Sequence, residues 1–391
     1  MLHFSAPPPL SLYIHLPWCE QKCPYCDFNS HALRAALPEQ AYIDALLRDL
    51  ELEAERAAGR TIETVFIGGG TPSLFSAAAI NQLLTAAFKR LKIKADAEIT
   101  LEANPGSVEQ ARFAGYRAAG INRLSIGIQS FDDACLHRLG RVHDREDALR
   151  AVTTARAAGF DNFNLDLMYG LPQQDLAGAL TDLQQAIALA PSHISQYQLT
   201  LEPNTLFFAK PPALPDEDLI ADMQQASQAA LADAGYQHYE VSAYAQPDHE
   251  SQHNLNYWRF GDYLALGAGA HGKITQAADG QIWRYAKRRH PRDFQAHAGQ
   301  ASCIAEMQRL TPSDLVLEFM MNALRLRDGF SLALCEAHTG LSWHHFQPGV
   351  AHAIELGWLE QDQDQIKPSP TGWLYLNELL QLFVADLTQP S

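Results

Sequence analysis

From residue 11 to about residue 245 the chain alternates short β-branched runs with longer amphipathic stretches, a rhythm open to few folds. The strand candidates are Leu12–Leu16, Thr64–Ile67, Glu98–Glu102, Arg123–Ile128, Phe163–Met168 and Ser195–Thr200. Helical patterns lie between them, at Glu39–Ala57, Ala77–Leu91, Val108–Ala119, Arg145–Ala158 and Leu176–Leu189. Alternation at this spacing argues for a parallel sheet covered by helices. Six such units predict an α/β fold of the partial (β/α)6 barrel kind rather than a doubly wound sheet.

After residue 245 the rhythm stops. A run rich in His, Asn, aromatics and Gly follows, His253 to Gly272, then a polar stretch from Gln276 to Gln300. From about Thr311 a separate block begins, with Ser313 as a candidate cap for a helix through Leu326. Residues 357–360 and 365–368 read as a small hairpin ahead of a final helix, Gly372 to Leu387. Helices followed by a hairpin suggest a small C-terminal α+β domain of winged-helix type. The expected divisions are therefore an extension (1–10), a barrel (11–245), a connecting segment (246–300) and a C-terminal domain (301–391).

The bulk numbers exclude some functions. Acidic residues outnumber basic ones 45 to 29, a formal charge of −16 that opposes binding to phosphate backbones. Nowhere do about 18 apolar residues run together, so no transmembrane helix is expected. Six cysteines in 391 residues, with no signal peptide ahead of them, fit a reducing cytoplasm.

Three of those cysteines are crowded into one loop: Cys19, Cys23 and Cys26, directly after strand one. Three soft thiolates can hold three corners of a [4Fe–4S] cluster and leave one iron without a protein ligand. A zinc site normally takes four ligands, for which His15 and His31 are the nearby additions. Cys135, Cys303 and Cys335 are isolated and read as small buried hydrophobes.

In a parallel β/α barrel the C-terminal strand ends share one mouth, where active sites lie. Strand one ends in Tyr13, His15 and the cysteine loop, and strand two in Gly68-Gly69-Gly70-Thr71-Pro72. Strands three to six end in Glu102-Ala103-Asn104, Gln129-Ser130, Asp166 and Thr200. All these polar or glycine signals fall at one end, which argues for a single site. The glycines permit close backbone approach to a ligand, and the carboxylates suit an ammonium or ribose hydroxyls. As structure alone, the glycine run is a turn, Glu102 a surface acid and Arg141 a solvated charge.

Cys-x3-Cys-x2-Cys with Tyr25 before the third cysteine resembles the signature of the radical S-adenosylmethionine (SAM) superfamily. The resemblance implies that SAM's amino and carboxylate groups bind the free iron, the arrangement in which that superfamily cleaves SAM to a 5′-deoxyadenosyl radical. More narrowly the chain resembles the oxygen-independent coproporphyrinogen III oxidase group, through Tyr13-Ile14-His15, Gly68–Pro72, Glu102, Gln129, Arg141 and Asp166–Pro172. It implies that Cys19, Cys23 and Cys26 ligate the cluster and that Tyr13, Tyr25, Gly69 and Glu102 surround SAM. Gly70, Thr71, Gln129, Arg141 and Asp166 match positions that hold a second SAM in the oxidase.

Two departures favour the HemW-type haem chaperones within that group. Phe28 stands where the oxidase has a further cysteine, and only about ten residues precede strand one. The chain also has the chaperones' His-Asn-x-x-Tyr-Trp motif as His253-Asn254-Leu255-Asn256-Tyr257-Trp258. An imidazole can ligate haem iron, and Tyr257 and Trp258 offer flat apolar faces. His beside Tyr and Trp is also a common packed core histidine, and His271 is a second candidate ligand. The resemblance implies a haem carrier with haem and haem-accepting apoproteins as partners, either monomer or homodimer. The enzymatic alternative is the oxidative decarboxylation of coproporphyrinogen III.

Overall fold

The computed structural model describes residues 2–106 and 110–384. Its centre is a twelve-stranded sheet. Six of the strands are those expected from the sequence: Leu10–Leu16, Thr61–Gly69, Lys92–Ala103, Arg123–Gln129, Phe163–Tyr169 and His193–Gln198, each pairing parallel with the next. In Leu10–Leu16 six of seven residues are buried: Leu10, Leu12, Ile14 and Leu16 join the core that holds Tyr42, Ile43 and Leu46 of the first long helix, while Tyr13 lines the cavity.

The helices follow their patterns closely. Glu39–Ala57 lays Tyr42, Ile43, Leu46 and Leu50 on the sheet. Ala77–Arg90 starts at Ser76, whose hydroxyl accepts from the Ala79 N–H. Arg145–Ala157 opens with a capping box between Asp144 and Asp147. Of the expected helix Val108–Ala119, the structure shows Phe113–Ala118, and the Val108 start lies outside the described residues.

The rhythm does not end at residue 245. Asp262–Leu266 adds a seventh parallel strand on the other side of Leu10–Leu16. Antiparallel strands His271–Gln276, Gln281–Lys287 and Ile304–Arg309 then extend that edge. Strands Ala243–Ala245 and Gln237–Glu240 finish the opposite edge, so the sheet stays open. Polar residues masked the stretch 276–300 because its burial is polar. Lys287 is fully buried between Asp49 (2.6 Å) and Glu53 (2.7 Å) of the first long helix. Lys273 is likewise buried against Asp262, which also pairs with Arg60.

The C-terminal block has its own core, built around Leu315, Phe319, Phe330, Phe346 and Ile366. Its first helix is Pro312–Ala323, capped by Thr311 in a capping box with Asp314, not by Ser313. Pro312 at the first turn, needing no N–H donor, shifts the start two residues ahead of expectation. The expected hairpin is present as Leu359–Asp362 and Gln365–Pro368, joined by Phe330–Ser331 into a three-stranded sheet. The final helix is broken into Pro370–Leu374 and Leu376–Gln381, and its expected end at Leu387 lies outside the described residues. Among the described residues no helix is long and apolar enough to cross a membrane.

Candidate functional site

The parallel register carries the strand-end residues to one level. His15 aligns with Gly68, Glu102 with Ser125, and Asp166 with Ser195. They open into a cavity of about 740 Å³, a size suited to a cofactor. Its walls include Tyr13, Tyr25, Gly69, Gly70, Thr71, Glu102, Gln129, Arg141 and Asp166, with Cys19, Cys23 and Cys26 at the rim. His253, Tyr257 and Trp258 line the same cavity. His271 instead lines an adjoining compartment of about 490 Å³, which shares Tyr13, Phe28, Gly69, Glu102, Tyr257 and Trp258 with the first.

The cysteine loop is closed by a short parallel pairing of Trp18–Cys19 with His31–Ala32. The glycine loop is stitched against it: Gly70 N–H donates to Leu16 O (2.9 Å) and Thr71 N–H to Trp18 O (2.7 Å). A Cβ on Gly70 would stand 2.6 Å from the Trp18 carbonyl oxygen, so an alanine there must displace the backbone that leads into the cysteines. Gly70→Ala is therefore expected to yield protein with substoichiometric cluster. Iron and sulfide per chain measure it, and wild-type loading would refute the role given to this contact.

Arg141 is not a solvated charge. Its Nη1 donates toward Cys23 Sγ (3.6 Å), while Nη2 is anchored by Asn104 Oδ1 (2.8 Å) and Gly127 O (2.9 Å). This contact fixes the guanidinium against the sulfur, at a side chain that lines the cavity. Gln129 holds a left-handed backbone, φ 70°, unusual for a side-chain-bearing residue and placed where the strand must turn into the mouth.

Two of the carboxylates that line the cavity stand on the parallel strands expected from the sequence. Asp166 accepts from Ser125 Oγ (3.1 Å) and Asn164 Nδ2 (2.7 Å), and burial holds its pKa above the usual range. Glu102 accepts from the Gly69 N–H (3.1 Å). Burial, then the neighbouring Asp166 charge, raises its pKa to about 7. Because its folded value lies above the unfolded one, the native state loses stability as pH rises from about 4.5 to 7 and keeps that penalty above. Glu102→Gln should thus raise the melting temperature of the cofactor-free protein at pH 8 and leave it unchanged at pH 4. An equal shift at both pH values would contradict this origin.

His253 is fully buried. Its Nδ1 is bonded to Thr64 Oγ1 (2.8 Å) and its Nε2 to Tyr257 OH (3.0 Å). Phe66 stacks on the ring, 5.1 Å between centroids, and burial lowers its pKa to about 3. Trp258 packs under the Arg325 guanidinium (4.2 Å), which reaches over from the C-terminal block. No local sequence signal marked Arg325, since it meets Trp258 only through the tertiary fold.

The donor set fits a cluster. All six cysteines are free, and the three in the loop are half-exposed while Cys135, Cys303 and Cys335 are buried. Among the described residues no three His, Cys, Asp or Glu side chains gather as ligands of one metal ion. His15, a candidate zinc ligand, has both ring nitrogens bonded, to Tyr13 OH (3.0 Å) and Asn29 O (2.9 Å). A four-iron cluster needs its thiolates at separate corners.

Comparison with known proteins agrees. Residues 13–183 match the Radical SAM superfamily and residues 310–375 the HemN C-terminal domain. The chain is 51% identical to the heme chaperone HemW of Escherichia coli, covering 97% of this chain and 99% of that protein. The chain belongs to the HemW family. The HemW of Haemophilus influenzae is 49% identical, with 97% and 99% covered. The solved coproporphyrinogen III oxidase HemN of Escherichia coli superposes with a TM-score of 0.82 at 25% identity, over 97% of this chain and 91% of that one. Membership of the radical SAM superfamily makes a [4Fe–4S] cluster and SAM the cofactors of this HemW-family chain.

Proposed function

We propose that this chain binds haem and delivers it to apoproteins in the cytoplasm, with a SAM-binding [4Fe–4S] cluster beside the haem site. The observation that carries this reading is the end-to-end kinship with the heme chaperone HemW proteins. Phe28 in place of a cysteine supports it against the decarboxylase alternative, and six free cysteines suit a reducing compartment.

Cys19, Cys23 and Cys26 hold the cluster in this proposal. When bound, such a cluster offers its fourth iron to the amino and carboxylate groups of SAM. The chain's own residues do the rest. The glycines of the loop Gly68–Thr71 leave no side chain between backbone and ligand, and Glu102 and Asp166 supply acceptors for its ammonium and hydroxyl groups. Tyr13 and Tyr25 exclude water, and Arg141 fixes Cys23. Tyr257 and Trp258 present ring faces toward the neighbouring compartment, where a macrocycle would pack. The assembly is either a monomer or a homodimer.

The test is a hemin titration of anaerobically reconstituted protein. Saturable uptake with a shifted Soret band is expected. No band beyond that of free hemin would remove the haem reading and leave the cluster and SAM assignments standing.

A further inference from the structure

We infer that His271, rather than His253, is the imidazole that meets the haem iron, and that Arg289 beside it meets a haem propionate. This rests on the haem-binding reading above. The sequence motif pointed first to His253, and the decisive feature is which ring nitrogens are free.

Four histidines line the two compartments: His15, His193, His253 and His271. Iron takes a lone pair from a ring nitrogen that no other group occupies. His15 has both nitrogens bonded. So does His193, to Asn164 Oδ1 (2.6 Å) and Tyr239 OH (2.9 Å). The His253 ring is bonded through both nitrogens, to Thr64 and Tyr257, its backbone N–H donates to Glu98 Oε1 (3.1 Å), and Phe66 covers the ring face. Freeing it would break both ring contacts, leaving Thr64 Oγ1 with Ser11 Oγ (2.8 Å) alone. Among the described residues the His271 ring alone of these four has no hydrogen-bond partner, and the residue is exposed.

The position is also well built. His271 begins the strand His271–Gln276 and pairs with Ala286, so it stands on a fixed element rather than a loose turn. Lys287 N–H donates to Ala270 O (2.9 Å) next to it. Although the residue is exposed, partial desolvation at the pocket, then the Arg284 charge, lowers its pKa, which favours the neutral ring a metal ligand needs.

Two arginines share the compartment, and they differ. Arg284 is committed to Glu318 through Nε (2.8 Å) and Nη2 (2.6 Å). Arg289, just past the neighbouring strand, is exposed, and among the described residues its guanidinium has no acceptor. In so acidic a chain, an uncommitted guanidinium at a pocket is suited to a carboxylate brought by the ligand. Phe28, 60% exposed, lines both compartments and offers the apolar face a macrocycle requires.

The test uses full-length, cluster-reconstituted protein titrated with hemin, read by absorption and low-temperature EPR. His271→Ala should lose the imidazole-ligated signature and bind hemin at least about tenfold more weakly, with added imidazole restoring the signature. Arg289→Ala should keep the signature and lose about tenfold in affinity for hemin but not for hemin dimethyl ester. A His271→Ala protein with wild-type spectrum and affinity overturns the ligand assignment while the chaperone reading stands. Equal loss for hemin and its ester in Arg289→Ala overturns the propionate contact. If the wild-type protein takes up no hemin, the chaperone reading itself falls, and this inference with it.

Discussion

Cys23→Ser is expected to give folded protein that cannot assemble the cluster, with iron and sulfide near background and SAM binding weakened by roughly 100-fold or more. The argument is one of location. Cys19, Cys23 and Cys26 sit in a loop outside every apolar core of the chain, half-exposed at the cavity rim. Losing one thiol removes a cluster corner and no packing. Cys303 is the contrast, because it is fully buried among the residues of the main core. Cys303→Ser should keep the cluster and lower the melting temperature, since it places a hydroxyl where a thiol packs as a hydrophobe. Metal analysis and thermal melts on the two variants check both halves. A Cys23→Ser protein with full iron and sulfide would remove that residue from the ligand set, and one that fails to fold would show that the loop is structural.

Lys287→Ala should be among the most destabilising single changes in the chain. The ammonium is fully buried, as are Asp49 and Glu53, the two carboxylates it bridges. Removing it leaves two negative charges facing each other in the interior, a loss of about 3–5 kcal/mol where one partner of a buried pair is deleted. For a domain of this size that is a fall of about 5–10 °C in melting temperature. The triple variant Lys287→Met, Asp49→Asn, Glu53→Gln should recover much of the loss, because it removes the charges together. The network clamps Gln281–Lys287 to the first long helix, and that strand pairs with the one bearing His271. A loss under 1 kcal/mol would show that water reaches the site.

The barrel was legible because its strands are buried on both faces and its helices are amphipathic. Glu39–Ala57 matches its expected bounds residue for residue. The cavity was legible for a related reason: parallel topology places strand ends together, so Gly69, Glu102, Gln129 and Asp166 could be grouped from their positions in the chain. What escaped was whatever depends on tertiary pairing of polar groups. Gln281–Lys287 read as a polar stretch since its buried lysine finds carboxylates more than two hundred residues earlier. By residue type alone Arg141 read as a surface charge, because Asn104, Gly127 and Cys23 reach it only in the fold; the family resemblance was what placed it at the SAM site. The sequence ranked His253 ahead of His271 on its motif, and could not show that His253's nitrogens are occupied by Thr64, from another strand, and Tyr257, one helical turn on.

The central claim is that this fold carries haem and does not consume a porphyrinogen. One anaerobic preparation, loaded with cluster and SAM, tests it in two parallel reactions: hemin-loaded protein mixed with an apo-haemoprotein, and hemin-free protein mixed with coproporphyrinogen III and a reductant. Haem appearing in the acceptor, with coproporphyrinogen left unchanged, is the expected result. Enzymatic turnover of coproporphyrinogen III without haem transfer would contradict it.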